Sequence, residues 1–208
     1  MNVIDQCRSC ALCNNQKPLI QAHVNRKVST FFVGLSAVQV ECVDLEEPFS
    51  KETKSGALLR DVASFDKECV VYFTNAVKCL PLKDGKIRYP AKSEMESCFP
   101  NFEMELNEYS PSKLVLFGNQ VSNFIINSLG ASLDNEQPID GVSLYSTSRF
   151  SIMVAPHPSY MLIYKRKNID WYIDSIRRFC SGKVNSNNAI QPTVSPLRGS
   201  AASLQNGG

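Results

Sequence analysis

The sequence predicts an α/β chain: a three-layer α/β/α sandwich around a central, mainly parallel four-stranded sheet. Three observations carry that prediction. Short β-branched and aromatic runs recur along the chain, and each is followed by a segment with helical spacing of its apolar residues. Of the 208 residues 43% are hydrophobic, enough for one substantial core, while no apolar run is long enough to cross a bilayer. Strand, crossover and strand repeated in this way produce parallel pairing with helices on both faces.

The elements follow in order. Residues 28–33 read as a first strand ending at Gly34, and residues 55–65 as a helix opened by Ser55 and carrying Leu58, Leu59 and Val62 on one side. Residues 70–77 read as a second buried strand. Residues 93–109 form a predicted helix in which Ser93 and Glu96 have capping-box spacing. A third strand is expected over 113–117, a helix over 119–129 stopped by Gly130, and a polar loop over 134–140. The last core strand is 151–155, and a closing helix over 169–180 is expected to turn Trp171, Ile173, Ile176 and Phe179 inward. Residues 1–183 are therefore expected to form one domain. From 184 to 208 Ser, Asn, Gly and Pro prevail without apolar periodicity, which predicts a disordered tail.

Asp5, Gln6 and Arg8 precede any apolar stretch, so no secretory signal is expected and the setting expected is cytoplasmic, with a monomeric chain and no membrane partner. In a reducing compartment eight cysteines point to metal ligation or plain burial rather than a disulfide framework. Cys7 and Cys10 form a C-x-x-C pair, and Cys79 and Cys98 a widely spaced one. Four thiolates suit tetrahedral zinc or a 4Fe-4S cluster equally, and the ligand set alone does not separate them from unligated cysteines. Cys42, Cys69 and Cys180 read as small buried apolar residues, and His23 as a surface histidine. A net charge of +2 is too small to indicate nucleic acid by itself.

In open parallel sheets ligands bind beyond the carboxyl ends of the strands. Segments 34–37, 74–79 and 156–160 occupy such ends and are expected to converge on one cleft. The motifs CRSCALC from Cys7, VGLSA from Val33, PFS at Phe49 followed by SGALL, TNAVKCLP from Thr74, Cys98 in the next helix and HPSYML from His157 stand in an order that resembles the iron-sulfur branch (family 4/5-like) of the uracil-DNA glycosylase superfamily, over residues 7–178. The resemblance implies a DNA glycosylase that hydrolyses the N-glycosidic bond of uracil or a related base flipped out of DNA, with a 4Fe-4S cluster on Cys7, Cys10, Cys79 and Cys98, zinc being the alternative occupant. Cys13 falls where relatives carry an apolar residue or a non-ligand cysteine. Segment 79–98 is longer than the family pattern.

The same resemblance gives Asn75 the edge of the flipped base, Phe49 its face, and Gly34 and Leu35 backbone contacts to it. An amide suits that task because it offers a donor and an acceptor together. It gives His157 the departing base, whose O2 gains negative charge; loss of such a donor costs about 3 kcal/mol of barrier. After the histidine, Ser159, Met161 or Leu162 as a wedge, and Lys165, Arg166 and Lys167 are expected to face DNA, with Lys78 adding a phosphate contact. The departure from the family lies at Gly34-Leu35-Ser36-Ala37-Val38, where many relatives carry Gly-Glu-x-Pro-Gly. Glu52, or else Glu41, is then the candidate catalytic acid. A chain lacking both would be a silent relative that binds nucleic acid or protein without cutting. A zinc-stapled α/β domain with an unrelated hydrolase activity is the remaining reading.

Overall fold

A computed structural model describes residues 3–133 and 142–182. The predicted loop at 134–140 and the tail from 184 lie outside the described residues.

Four parallel strands form the centre. They are β1 (Thr30–Ser36), β2 (Val71–Val77), β5 (Lys113–Phe117) and β8 (Ser151–Ala155), in spatial order β2-β1-β5-β8. Two short antiparallel strands, β7 (Ser143–Ser146) and β6 (Ser132–Leu133), extend the sheet beyond β8 to six strands. A second hairpin, β3 (Leu82–Lys83) and β4 (Lys86–Ile87), stands apart from the sheet.

Strand alternation assigns one set of side chains to each face. Phe32, Phe73, Val115, Phe117 and Met153 pack with helices α1 (Lys54–Ala63), α4 (Pro158–Tyr164) and α5 (Ile169–Cys180). Phe31, Val33, Tyr72, Leu114 and Leu116 pack with α2 (Lys92–Tyr109) and α3 (Asn119–Leu129) on the opposite face. This is the α/β/α sandwich.

Three local readings change. The first strand runs on through Gly34 to Ser36 instead of ending at the glycine. In α2 the capping carboxylate is Glu94, whose Oε2 accepts the Ala91 N–H at 2.7 Å, so the Ser93/Glu96 pair is displaced two residues into the helix. In α5 the inner face carries Tyr172, Ser175, Ile176, Phe179 and Cys180, while Trp171 and Ile173 are only half-buried. Cys69 and Cys180 are buried; Cys42 is exposed, because it sits at the start of a short turn rather than in a core element.

Candidate active site

The chain leaves β1 to one side for β2 and returns on its other side as β5. The carboxyl ends of β1 and β5 therefore diverge, which opens a crevice at the strand-order reversal. A cavity of about 750 Å³ occupies this place, within the range of small-molecule sites. Segments following all four parallel strands line it, with Gly34 to Ser36 from β1, Asn75 from β2, Gly118 to Gln120 after β5 and His157 after β8.

Gly34 pairs in register with Asn75. A Cβ on Gly34 would lie 2.3 Å from Asn75 Oδ1 and 2.8 Å from Phe49 Cζ, so the glycine is the floor on which amide and ring meet. Gly34→Ala should leave the fold intact but displace both groups, and binding of a ligand in the cavity, measured by fluorescence titration, should fall at least about tenfold.

Asn75 is only 6% exposed, yet its carboxamide makes no hydrogen bond to any described residue and opens on the cavity. Buried amides are normally satisfied; this one is left to whatever enters the cavity.

Phe49 has φ +55°, a left-handed conformation that a bulky residue adopts only under constraint. Arg60 supplies the constraint. Its Nε donates to Phe49 O at 2.9 Å, its Nη2 to Pro48 O at 3.0 Å and to Glu47 Oε2 at 3.1 Å, and its guanidinium lies 4.4 Å from the Phe73 ring centroid. Gly56 lets α1 approach closely, since a Cβ there would meet Ser50 O at 2.0 Å.

His157 is the N-cap of α4, with Pro158 pre-set at the first helical position. Its Nδ1 accepts the Ser159 N–H at 3.2 Å and lies 2.7 Å from Ser159 Oγ. The remaining proton therefore sits on Nε2, a donor not used by the cap. The residue reaches solvent through the cavity mouth, yet desolvation holds its pKa below the ordinary 6.5, so the neutral ring is the form present at pH 7.

A second cluster lies behind β2. Cys7, Cys10, Cys79 and Cys98 line one small cavity of about 10 Å³, and Cys13 lines it too. Leu12, 2% exposed, packs with Val77 and Met95 and holds the N-terminal segment there. Asn101 Nδ2 donates to Cys7 Sγ at 3.2 Å and to Cys98 Sγ at 3.7 Å, and the Lys78 N–H donates to Cys98 Sγ at 3.3 Å. Burial, then the charges of Cys98, Cys10, Cys13 and Cys7, push the Cys79 thiol up to about 12. Desolvation opposes ionisation of Cys7 as well, but hydrogen bonds with Ser9 and Asn101 outweigh it and lower that thiol. The donor set suits a soft metal, because gathered thiolates repel one another unless a cation neutralises them. Among the described residues, however, no three His, Cys, Asp or Glu side chains are arranged as a metal site.

The family model of the Uracil DNA glycosylase superfamily matches residues 23–179. The chain belongs to that superfamily. It is 22% identical over 171 residues to a type-4 uracil-DNA glycosylase of Sulfurisphaera tokodaii, a match covering 75% of this chain and 71% of the relative. The crystal structure of wild-type SMUG2 of Pedobacter heparinus shares the fold at a TM-score of 0.51 and 11% identity, over 76% of both chains.

Several residues expected at the glycosylase site stand elsewhere. Glu52 is exposed in the turn before α1 and does not line the cavity; neither does Glu41, which is also exposed. Among the described residues no carboxylate lines the cavity, whose polar lining consists of neutral groups such as Ser36, Ser50 and Asn119 together with His157.

Lys78 has no access to phosphate. Fully buried, it donates to Glu105 Oε2 at 2.5 Å, Thr74 Oγ1 at 2.6 Å and the Asn75 carbonyl at 2.7 Å. Met161 is 2% exposed, because residues 158–164 form a helix that turns it onto the α1 and α5 side of the core. Leu162 is half-buried. The outward apolar residues of that helix are Tyr160, Ile163 and Tyr164, at helical spacing and 44%, 60% and 72% exposed, with Lys165, Arg166 and Lys167 exposed just beyond.

Sequence reasoning also missed Gly118, Asn119 and Gln120. The signal was available, since the end of a third parallel strand must reach the same edge of the sheet as the others.

Proposed function

We propose that the protein is a DNA glycosylase that hydrolyses the N-glycosidic bond of uracil, or a related deaminated base, flipped from DNA into the 750 Å³ cavity. The observation that carries this reading is the Asn75 carboxamide, without a hydrogen-bond partner among the described residues and set beside the Phe49 ring on the Gly34 floor. Asn75 reads the base edge, Phe49 stacks on its face, and the backbone of Gly34 and Leu35 completes the wall. His157 Nε2–H donates to O2 of the base as the glycosidic bond breaks and negative charge collects there. The attacking water is held by neutral hydroxyl and amide groups, Ser36, Ser50 and Asn119, in place of a carboxylate. Tyr160, Ile163 and Tyr164 fill the gap in the stack, while Ser159, Lys165, Arg166 and Lys167 hold the flanking backbone.

Cys7, Cys10, Cys79 and Cys98 would hold a 4Fe-4S cluster, zinc being the alternative occupant. The group would serve as a structural clip, tying the N-terminal segment to the end of β2 and to α2.

One observation favours a second reading, a relative that binds the base without cutting: the cavity lining among the described residues lacks an acid. A single experiment separates the two. Incubated with a uracil-containing oligonucleotide, a glycosylase leaves alkali-labile sites, and Asn75→Ala reduces them by at least about 100-fold. Intact strands with retained uracil-specific binding select the silent relative. Intact strands without such binding remove both readings.

A further inference from the structure

The β3–β4 hairpin carries an aromatic residue with no internal task. Tyr89 stands two residues past the end of β4, lines the cavity and is 77% exposed. Neither its ring nor its hydroxyl makes a ring contact or hydrogen bond among the described residues. Its backbone, by contrast, is fixed on both sides. Arg88 forms a two-pronged ion pair with Glu94, at 2.7 and 2.6 Å, and also donates through Nη1 to Tyr89 O at 2.9 Å. The Arg88 N–H closes on Pro81 O at 3.1 Å. On the other side Pro90 is buried and its carbonyl accepts Gln120 Nε2 at 3.1 Å, Gln120 being itself a cavity residue. The hairpin turn is tight, with Asp84 and Gly85 both at positive φ, 52° and 71°. Lys83 and Lys86 on its strands are exposed and form no ion pair among the described residues.

An exposed aromatic on rigid backbone, following a hairpin whose two lysines form no ion pair among the described residues, is an arrangement able to stack a nucleobase while the lysines hold phosphates. Phe49 already serves the base inside the cavity, so an exposed ring on its lining is left for what lies outside it. We propose that Tyr89 is a stacking platform for the nucleotide adjacent to the extruded one, with Lys83 and Lys86 on the neighbouring phosphates. The hairpin is then a second arm of the DNA grip, separate in sequence from α4. This inference rests on the glycosylase reading.

The test uses the full chain and an oligonucleotide bearing a non-hydrolysable uracil nucleotide, flanked on either side by a fluorescent purine. Tyr89→Ala should weaken binding roughly tenfold and abolish quenching of the purine, whereas Tyr89→Phe keeps both. Lys83→Gln with Lys86→Gln should flatten the dependence of log affinity on log salt by about 1.4 to 1.8. Wild-type protein that prefers uracil to a thymine control while Tyr89→Ala binds and quenches like wild type overturns the platform and leaves the glycosylase reading standing. Wild-type protein with no such preference removes both.

Discussion

Replacing His157 by Asn should lower the single-turnover rate of base excision by about 10²- to 10³-fold while leaving the fold in place. The substitution separates the ring's cap role from its proposed role as donor. As N-cap of α4, His157 accepts the Ser159 N–H, and asparagine is itself a favoured cap. As donor, only the imidazole presents Nε2–H from that backbone position. His157→Ala should lose both, adding about 0.5 to 2 kcal/mol of destabilisation to the same loss of rate.

The pH dependence follows from the direction of the shift. Desolvation lowers the folded pKa below the ordinary 6.5, so the unfolded chain binds more protons over the interval between the two values. The contribution to stability is therefore fully present above the unfolded pKa and declines as pH falls from 6.5 through the folded value. Protonation also places a hydrogen on Nδ1, where the cap needs a lone pair. The acid limb of the excision profile should accordingly lie below pH 6.5 and vanish in His157→Asn. An unchanged rate in His157→Asn would remove this residue from the reaction.

The parallel core could be read from the sequence because each strand is a short apolar run with its own punctuation. Lys113–Phe117 and Ser151–Ala155 fall where β-branched density places them, and α3 stops at Gly130, which adopts φ +63°. Local signals failed where a residue's partner is distant. Gly34 looked like a strand terminator, but the glycine is inside the strand because Asn75 and Phe49 approach it too closely for a side chain. Lys78 beside Cys79 looked like a phosphate contact because Glu105, its partner, lies 27 residues away in α2.

The α4 helix is a different case. His157 and Pro158 are a local start signal, a cap followed by proline at the first helical position, and without that helix Met161 or Leu162 read as the wedge. Seven residues of helix move Met161 inward and bring Tyr160, Ile163 and Tyr164 out. The antiparallel β7 carries two serines and a half-buried tyrosine, too weak a pattern to announce a strand.

The second large effect concerns Lys78, which ties the two sites together. Its ammonium is enclosed by Glu105, Thr74 and the Asn75 carbonyl, 5.4 Å from the centroid of the Phe102 ring. Glu105 also accepts Thr74 Oγ1–H at 2.8 Å and the Tyr72 hydroxyl at 3.3 Å, and burial keeps that phenol protonated. Lys78→Met removes the only cation paired with Glu105 among the described residues and leaves a buried carboxylate, at a cost of about 3 to 5 kcal/mol in urea unfolding. Replacing both partners, Lys78→Met with Glu105→Gln, should recover most of that loss, since no buried charge remains and the amide carbonyl can still accept from Thr74 and Tyr72. Base discrimination should not recover with it. The Asn75 carbonyl loses its ammonium partner in single and double variant alike, so the carboxamide above Gly34 is less firmly held. A double variant with restored stability and about tenfold weaker preference for uracil over thymine would assign the pair to positioning. Full recovery of both would reduce it to a packing element, and a Lys78→Met variant as stable as wild type would remove the pair from the stability of the core.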